Sequence, residues 1–412
     1  MEEIAPLNIA FFTLGCKVNQ VEAARLERLF AERGHTVVTA APFDAAIVGT
    51  CSVTGVSDGK SRRLIRRAAR FCPGAAIAVW GCFGKSEPEA CAGLPGVILV
   101  AGPDPGLDFV EQVEHVVGAN CVRPPDGRGR SSLPSRTRAL LKIQDGCDNR
   151  CAYCIIPSLR GPSRSVPLDE VTAQVMAMKD AKEIVVTGIE ISSYHPSLPE
   201  LIRALSRARP GIRLRLGSLE PSAVDGAFLD AAPLVCPHFH LSLQSGCDAT
   251  LSRMGRRYTA RQYREVAAAL RKTVPGCSLT TDLIVGFPGE CETEFAESLD
   301  FVREMGFAAV HVFPYSARKY TAAAAMPGQV PPGVKKQRAQ AAMNAAAQSA
   351  AACREERVGQ TLEVLFEKPG AGHSADYFWV KAPGGIPNTV AKVRITGTDG
   401  IALMGDIVSD HR

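Results

Sequence analysis

Apolar and polar positions alternate with two different periods along this chain, and the switches between them mark its elements. Residues 7–13, 36–38, 45–48 and 76–80 are short apolar runs that read as strands. Between the first two, residues 21–33 place Leu26, Leu29 and Phe30 at helical spacing, and Gly34 follows as a stop signal. Strands alternating with helices as far as residue 118 predict a Rossmann-like parallel sheet with helices on both faces.

Residues 121–138 interrupt the pattern with prolines, glycines and arginines, the composition of a linker. Its arginines suit either solvent or phosphate. Alternation then resumes. Residues 140–143, 183–187, 213–216, 238–243, 278–283 and 310–313 are strand candidates, separated by helical stretches at 168–179, 198–208, 260–272 and 292–304. Six strand–helix units in a row predict a partial (β/α)6 barrel, which carries its chemistry at the C-terminal ends of its strands. Residues 335–356 are Ala-rich and read as one connecting helix. Beyond them, 361–366, 377–381, 389–395 and 402–408 are short strands with Gly turns and no helix between them, a small OB-like β-barrel of a type that often binds oligonucleotides. The expected domains are therefore 1–120, a linker at 121–138, 139–345, and 346–412. The fold class is α/β.

With 412 residues the chain exceeds one compact core. A net charge of +5 permits an acidic partner without demanding one. No apolar run approaches the roughly 18 residues needed to cross a bilayer, and Met-Glu-Glu-Ile at the N-terminus lacks a signal peptide's basic segment. No membrane partner is expected. The 14 cysteines then read as thiols of a reducing cytoplasm, some of them bound to metal.

Six of those cysteines fall into two sets. Cys147, Cys151 and Cys154 follow the first strand of the predicted barrel at C-x3-C-x2-C spacing, with Tyr153 before the last. Three thiolates suit three irons of a [4Fe–4S] cluster and leave the fourth iron open to a substrate or cofactor. A zinc site lacking a ligand, or three unrelated buried thiols, are the alternatives. Cys16, Cys51 and Cys82 each directly follow a strand candidate of the first domain, so a parallel sheet would bring all three to one edge, where ligands gather. Their wide spacing leaves buried core thiols as the alternative. Cys72, Cys91, Cys121, Cys236, Cys247, Cys277, Cys291 and Cys353 match no ligand motif. His238 and His240 alternate on one strand, as metal ligands or as barrel-wall residues. Arg62, Arg63, Arg66, Arg67 and Arg70 form a basic helix stripe, facing either solvent or phosphate.

These motifs, in this order, resemble the radical S-adenosylmethionine (SAM) methylthiotransferase family over nearly the whole chain. The matches are Thr-Leu-Gly-Cys-Lys-Val-Asn-Gln (13–20), Thr-Cys-Ser-Val-Thr (50–54), Gly-Cys-Phe (81–83) and Gly-Cys-Asp-Asn-Arg-Cys-Ala-Tyr-Cys-Ile-Ile-Pro (146–157). The Arg-Gly and Arg-Ser pairs at 160–161 and 164–165, Leu-Ser-Leu-Gln-Ser-Gly (241–246) and Asp-Leu-Ile-Val-Gly-Phe-Pro-Gly-Glu (282–290) continue the match. The C-terminal barrel resembles the family's RNA-binding TRAM domain. Lys-Val-Asn after Cys16 and Thr-Thr-Asp at 280–282 resemble the subgroup acting on threonylcarbamoyladenosine in tRNA. The chain departs from the family pattern at Gly49, at Ser192-Ser193-Tyr194 and at Lys319-Tyr320-Thr321.

The resemblance implies two [4Fe–4S] clusters, one on Cys147, Cys151 and Cys154 that chelates SAM, the other on Cys16, Cys51 and Cys82 that carries or donates sulfur. It implies a methylthio group added to C2 of N6-threonylcarbamoyladenosine next to the anticodon. Thr187, Gly188 and Glu190 match the place where such enzymes grip the SAM amino group. Ser218 and Glu220 would bond the ribose, Gln244 and Ser245 would face the same region, and Gly286 and Gly289 would admit adenine. Each of these is also an ordinary loop residue when read alone. A one-electron reductant such as flavodoxin or ferredoxin, and a sulfur donor, are implied partners. The alternatives are isopentenyladenosine in tRNA, a ribosomal protein, or an iron–sulfur RNA-binding redox sensor without turnover.

Overall fold

The computed structural model describes residues 5–118 and 137–408. The linker expected at 121–138 lies, up to residue 136, outside the described residues. The chain divides into two compact units: 1–134 with 146–148 and 154–162, and 135–145 with 149–153 and 163–412.

In the first unit β1 (Asn8–Thr13), β2 (Thr36–Val38), β3 (Ala45–Thr50), β4 (Ala76–Gly81) and β5 (Val97–Val100) form a parallel sheet in the order β2-β1-β3-β4-β5. Strand alternation sorts its two faces. Ala45, Ile47, Ala78 and Trp80 pack against Leu26 and Phe30 of helix Lys17–Glu32 and Phe109 and Val113 of helix Leu107–Gly118. Ala46, Val48, Ile77 and Val79 pack against Ile65 and Ala68 of helix Gly55–Phe71, with Phe83 and Cys91. The predicted doubly covered sheet is present. β5 had no counterpart in the sequence reading, because four apolar residues after a turn carry no period of their own.

The second unit contains six parallel strand lanes: β6 (Arg138–Asp145), β8 (Glu183–Gly188), β9 and β10 (Arg213–Leu216 and Ser218–Leu219), β11 (His238–Leu241), β12 (Ser278–Val285) and β13 (Ala309–Pro314). A two-residue strand, β7 (Arg164–Ser165), pairs antiparallel with β6. The third lane changes sheets at Gly217: β9 pairs with β8 and β10 with β11. The orders β7-β6-β8-β9 and β10-β11-β12-β13 make an incomplete barrel. Its outer face is the large apolar core, where Leu279, Leu283 and Val285 of β12 meet Leu270, Phe301 and Phe307. The helix predicted at 335–356 is Pro332–Glu355, and its Ala339, Ala342 and Ala345 join this core. Small side chains there admit a close helix approach.

The C-terminal strands β14 (Thr361–Lys368), β15 (Ala371–Ser374), β16 (Trp379–Lys381), β17 (Val390–Thr398) and β18 (Leu403–Ile407) close into a barrel in the order β14-β15-β16-β18-β17. Phe366, Phe378, Val380, Val393 and Ile395 fill it. Phe378, just before β16, points inward. Tyr377, at φ 73° just before β16, and Trp379 lie outside this core against His373. Tyr377 lies with its ring centroid 4.5 Å from that of His373 and 4.7 Å from that of His238, and 4.5 Å from the Arg215 guanidinium carbon. The small barrel therefore docks on the N-terminal ends of the large barrel's strands.

A buried carboxylate organises that contact. Glu183, with no solvent exposure, accepts bonds from Arg215 Nε and Nη2 at 2.7 and 2.9 Å and pairs with Arg213 Nη2 at 3.0 Å. Arg138 stands 3.9 Å away. Arg215 also donates to the carbonyls of Ala375 and Ser374. Burial alone would raise the Glu183 carboxyl, but the arginine bonds and charges outweigh it and hold the pKa below its ordinary value. Glu183→Gln is expected to leave these guanidinium groups buried with a neutral partner. Breaking such a network costs about 3–5 kcal/mol, so a large fall in melting temperature is expected in calorimetry. An unchanged melting temperature would show that the arginines find other partners.

Candidate functional site

In the first unit the loops that follow β1, β3 and β4 carry Cys16, Cys51 and Cys82 on one edge of the sheet. The three thiols lie close enough that each of Cys16 and Cys82 feels the charge of Cys51. Cys16 reaches the surface on one side, yet the protein packed around its other sides raises its thiol pKa. Burial pushes Cys82 up to about 11, and the Arg160 guanidinium opposes that rise. Arg160 belongs to the short helix Ile156–Arg160, is itself 4% exposed, and donates to Glu22 Oε1 at 2.7 Å, Glu22 Oε2 at 3.1 Å and Asn19 Oδ1 at 3.2 Å. Asn19 Nδ2 in turn donates to the carbonyls of Leu14 and Thr50, which ties the Cys16 and Cys51 loops together. Gly81, at φ 105°, closes the third loop, and a Cβ there would stand 2.5 Å from the Thr50 carbonyl. Cysteine thiols become thiolates when a metal binds them. This donor set therefore fits an iron–sulfur cluster.

The departure at Gly49 has a local cause. A Cβ at this position would meet the Trp80 ring at 2.7 Å, so the indole occupies the space of a larger side chain.

The loop 146–154 follows β6. Gly146 has φ 70°, and a Cβ there would lie 2.0 Å from the Pro162 carbonyl, so only glycine allows the turn. The Cys147 amide donates to the Gly161 carbonyl at 3.1 Å. Farther along the loop, the Ala152 amide donates to Met254 and its carbonyl accepts from Ala323, both at 2.8 Å. Cys147, Cys151 and Cys154 are all part-exposed and none forms a disulfide. Arg256 Nη1 lies 3.3 Å from Cys151 Sγ and 3.5 Å from the Tyr153 hydroxyl. The C-x3-C-x2-C spacing suits three corners of a [4Fe–4S] cluster.

At the C-terminal ends of β8 and β10, Glu190 and Glu220 meet. The Glu190 amide donates to Gln144 Oε1 at 2.8 Å, and its carboxylate accepts from the Ser192 amide at 3.1 Å. Ser192 Oγ accepts from the Glu220 amide at 2.9 Å, and Ser193 Oγ donates to the Glu190 carbonyl at 2.8 Å. The Ser-Ser departure thus builds the turn that joins these two strand ends. Burial, then the nearby Glu220 charge, raises Glu190 to about 7. Glu220 is also hydrogen-bonded by Arg256. Two adjacent carboxyls under one arginine make a site that gains from an added cation.

The other expected residues divide. Thr187 is buried at the end of β8, beside Gly188, and Ser218 is exposed. Gln244 takes φ 64° and bridges Leu283, so its backbone is held against β12. Ser245 is fully buried and bonds Ser298 of the outer helix Glu292–Met305, so it does not face the inner space expected of it. The Gly286 amide is bonded by Glu290, which Arg338 holds at 2.9 Å. Lys335 lies over Gly286, where a Cβ would meet its chain at 2.5 Å. Tyr320, in the departure at 319–321, is 87% exposed. Arg256 and Gln144 were missed by sequence reasoning. Their bonds at the site, Arg256 to Glu220 and Gln144 to Glu190, span 36 and 46 residues, and no local spacing signals them.

An incomplete parallel barrel with a three-cysteine loop after its first strand defines the class, a radical SAM protein. Residues 141–302 match the Radical SAM superfamily, and residues 8–102 match the Uncharacterized protein family UPF0004. The chain belongs to the radical SAM methylthiotransferase family. It is 35% identical to the threonylcarbamoyladenosine tRNA methylthiotransferase MtaB of Bacillus subtilis over 97% of this chain and 92% of that protein. Identity is also 35% to the Thermotoga maritima protein of that name, over 90% and 89%. Identity to the tRNA-2-methylthio-N(6)-dimethylallyladenosine synthase of Sorangium cellulosum is 32%, over 96% and 89%. Among solved structures, the radical SAM methyltransferase TsrM of Kitasatospora setae superposes with a TM-score of 0.59 at 15% identity, over 78% of this chain and 77% of that one, a likeness of fold. The protein is a transferase whose cofactors are SAM and two [4Fe–4S] clusters. Among the described residues no helix is long and apolar enough to cross a membrane.

Proposed function

We propose that this enzyme adds a methylthio group to C2 of N6-threonylcarbamoyladenosine beside the anticodon of tRNA. The observation that carries the reading is the pairing of two three-thiol sets with relatives of that activity at 35% identity. Cys147, Cys151 and Cys154 hold the SAM-binding cluster, and Cys16, Cys51 and Cys82 hold the auxiliary one. When bound, these groups supply a primary carbon radical, which C2 of adenine needs because its C–H bond resists polar attack, and the sulfur to be transferred.

The chain's own residues bind and orient. Glu190 and Gly188 grip the SAM amino end beside Thr187, and Glu190 is negative once pH exceeds about 7. Arg256 holds Glu220 and Cys151 in place from one guanidinium. Tyr153, Ser218, Gln244 and Gly286 complete the SAM surround. Arg160 sets the spacing of the Cys16 and Cys51 loops through Asn19. tRNA contact falls to exposed cations of the small barrel, with Arg394 and Lys392 on β17. Lys381 is paired with Asp399 at 2.7 Å. A flavodoxin or ferredoxin as reductant, a sulfur donor, and the cytoplasm as location accompany this reading.

Mass spectrometry of tRNA nucleosides from cells lacking the gene tests it. The expected result is loss of 2-methylthio-N6-threonylcarbamoyladenosine while the dimethylallyl counterpart persists. Loss of the dimethylallyl nucleoside alone would transfer the substrate. No change in either would point to a ribosomal protein or to a sensor without turnover.

A further inference from the structure

His240, Asp282 and His311 stand on three adjacent parallel strands, β11, β12 and β13. Their orientation follows from alternation. Phe239 and Leu241, and Leu279 and Leu283, lie in the outer core, and Val310 and Val312 pack against it. The residues between them therefore face the inside of the barrel wall. Asp282 pairs directly with His311 across β12 and β13, and His240 pairs with Thr280 one pleat below. The three side chains place ligand atoms within 4.8 Å of one another.

We propose that these residues bind one divalent first-row metal ion, of the zinc or iron(II) type, on the inner wall. His240 Nε2 is 3.3 Å from Asp282 Oδ2. Ligands bound at 2.0–2.1 Å around a tetrahedral ion lie about 3.3 Å apart, so this pair is already spaced for chelation. His240 Nδ1 is occupied by Thr280 Oγ1 at 3.0 Å, which leaves Nε2 to the metal. An oxygen on the far ring nitrogen is the usual means of orienting a histidine ligand. The same Thr280 hydroxyl meets His238 Nε2 at 2.9 Å, so His238 is excluded from the ligand set and fixes Thr280 instead. The His311 and His240 rings are 5.8 Å apart, and His311 is exposed on the outermost strand. Two imidazoles and one carboxylate suit Zn(II) or Fe(II) and leave coordination positions open toward the inner space. A water, or a carboxylate or hydroxyl oxygen of a bound molecule, would fill them. The cysteine sets play no part in this site.

The test uses the holoenzyme with its clusters reconstituted under anaerobic conditions. It is dialysed to equilibrium against low-micromolar Zn2+, and zinc and iron are counted by mass spectrometry. Wild type is expected to hold one zinc per chain more than His311→Ala and one more than Asp282→Asn, at equal iron. Thr280→Val is expected to weaken zinc about tenfold, the effect of losing an orienting partner. Equal iron and an equal melting temperature show that each variant is folded, and the exposed His311 makes its substitution the mildest. As a second readout, wild type should deplete the six-line electron paramagnetic resonance signal of free Mn2+ more than His311→Ala does. The oxidised clusters are diamagnetic and do not mask that signal. Equal zinc in wild type and both variants would overturn the proposal, as would no bound zinc in any of them.

Discussion

Replacing Cys147, Cys151 and Cys154 together by Ala is expected to abolish reductive cleavage of SAM to 5′-deoxyadenosine. Iron after anaerobic reconstitution should fall from about eight to about four per chain, the count for losing one of two four-iron clusters. The local fold should survive. The loop is anchored by the Cys147 amide on Gly161, the Ala152 amide on Met254 and the tight turn at Gly146, and none of these uses a thiol. The thiols are part-exposed, so their removal opens no large cavity in the core. Glu190 stays in place through its amide on Gln144 and its carboxylate on the Ser192 amide, and the Glu220 carboxylate through Arg256. SAM should therefore still bind weakly while its cleavage is lost, and equilibrium dialysis with labelled SAM separates the two. Full iron content in the triple variant would refute the assignment of these cysteines. Persistent 5′-deoxyadenosine would refute it independently.

What could be read from the chain alone follows from the reach of each signal. Cys147, Cys151 and Cys154 stood out by their spacing, whereas the placement of Cys16, Cys51 and Cys82 was legible because each directly follows an apolar run, and a parallel sheet brings such points to one edge. The six barrel lanes were legible for the same reason, with β9 at 213–216 matching its predicted bounds. Contacts between distant segments were not. Arg256 follows helix Asp248–Met254 with no motif of its own, and its partners Cys151 and Glu220 lie 105 and 36 residues away. Arg160 lay within a family motif, but its bond to Glu22 spans 138 residues. For Tyr377, alternation gives only a side of the expected strand 377–381. That the side is covered by His238, Arg138 and Arg215 is a fact of docking. The same docking changes how RNA binding should be examined. Deleting 358–412 would remove the carbonyls that receive Arg213 and Arg215 and that of Asp376, which accepts from Ser278. Truncation would thus disturb the large barrel too, and charge reversal at Arg394 separates RNA contact from stability.

Replacing Cys16, Cys51 and Cys82 together by Ala should give the opposite phenotype: 5′-deoxyadenosine still forms, and methylthiolated nucleoside disappears. The two sets can be separated because their supports differ. The second set rests on the sheet edge of the first unit, where Asn19, Thr50 and Arg160 hold the loops by bonds that need no sulfur. The Cys151 side of the radical site rests on Arg256, Glu220 and the strand ends of the second unit. Removing buried Cys51 and Cys82 deletes only small apolar volume, so stability should fall by a few kcal/mol at most. Arg160 keeps Glu22 as its counter-charge, which prevents a stranded buried cation. Iron should again drop to about four per chain, now from the other cluster. Liquid chromatography and mass spectrometry of a reaction on purified tRNA reads both products from one sample. Methylthiolated nucleoside made by this variant would mean that the sulfur travels by a route that bypasses these three cysteines. Loss of 5′-deoxyadenosine in step with the nucleoside would mean that the two sets act as one site.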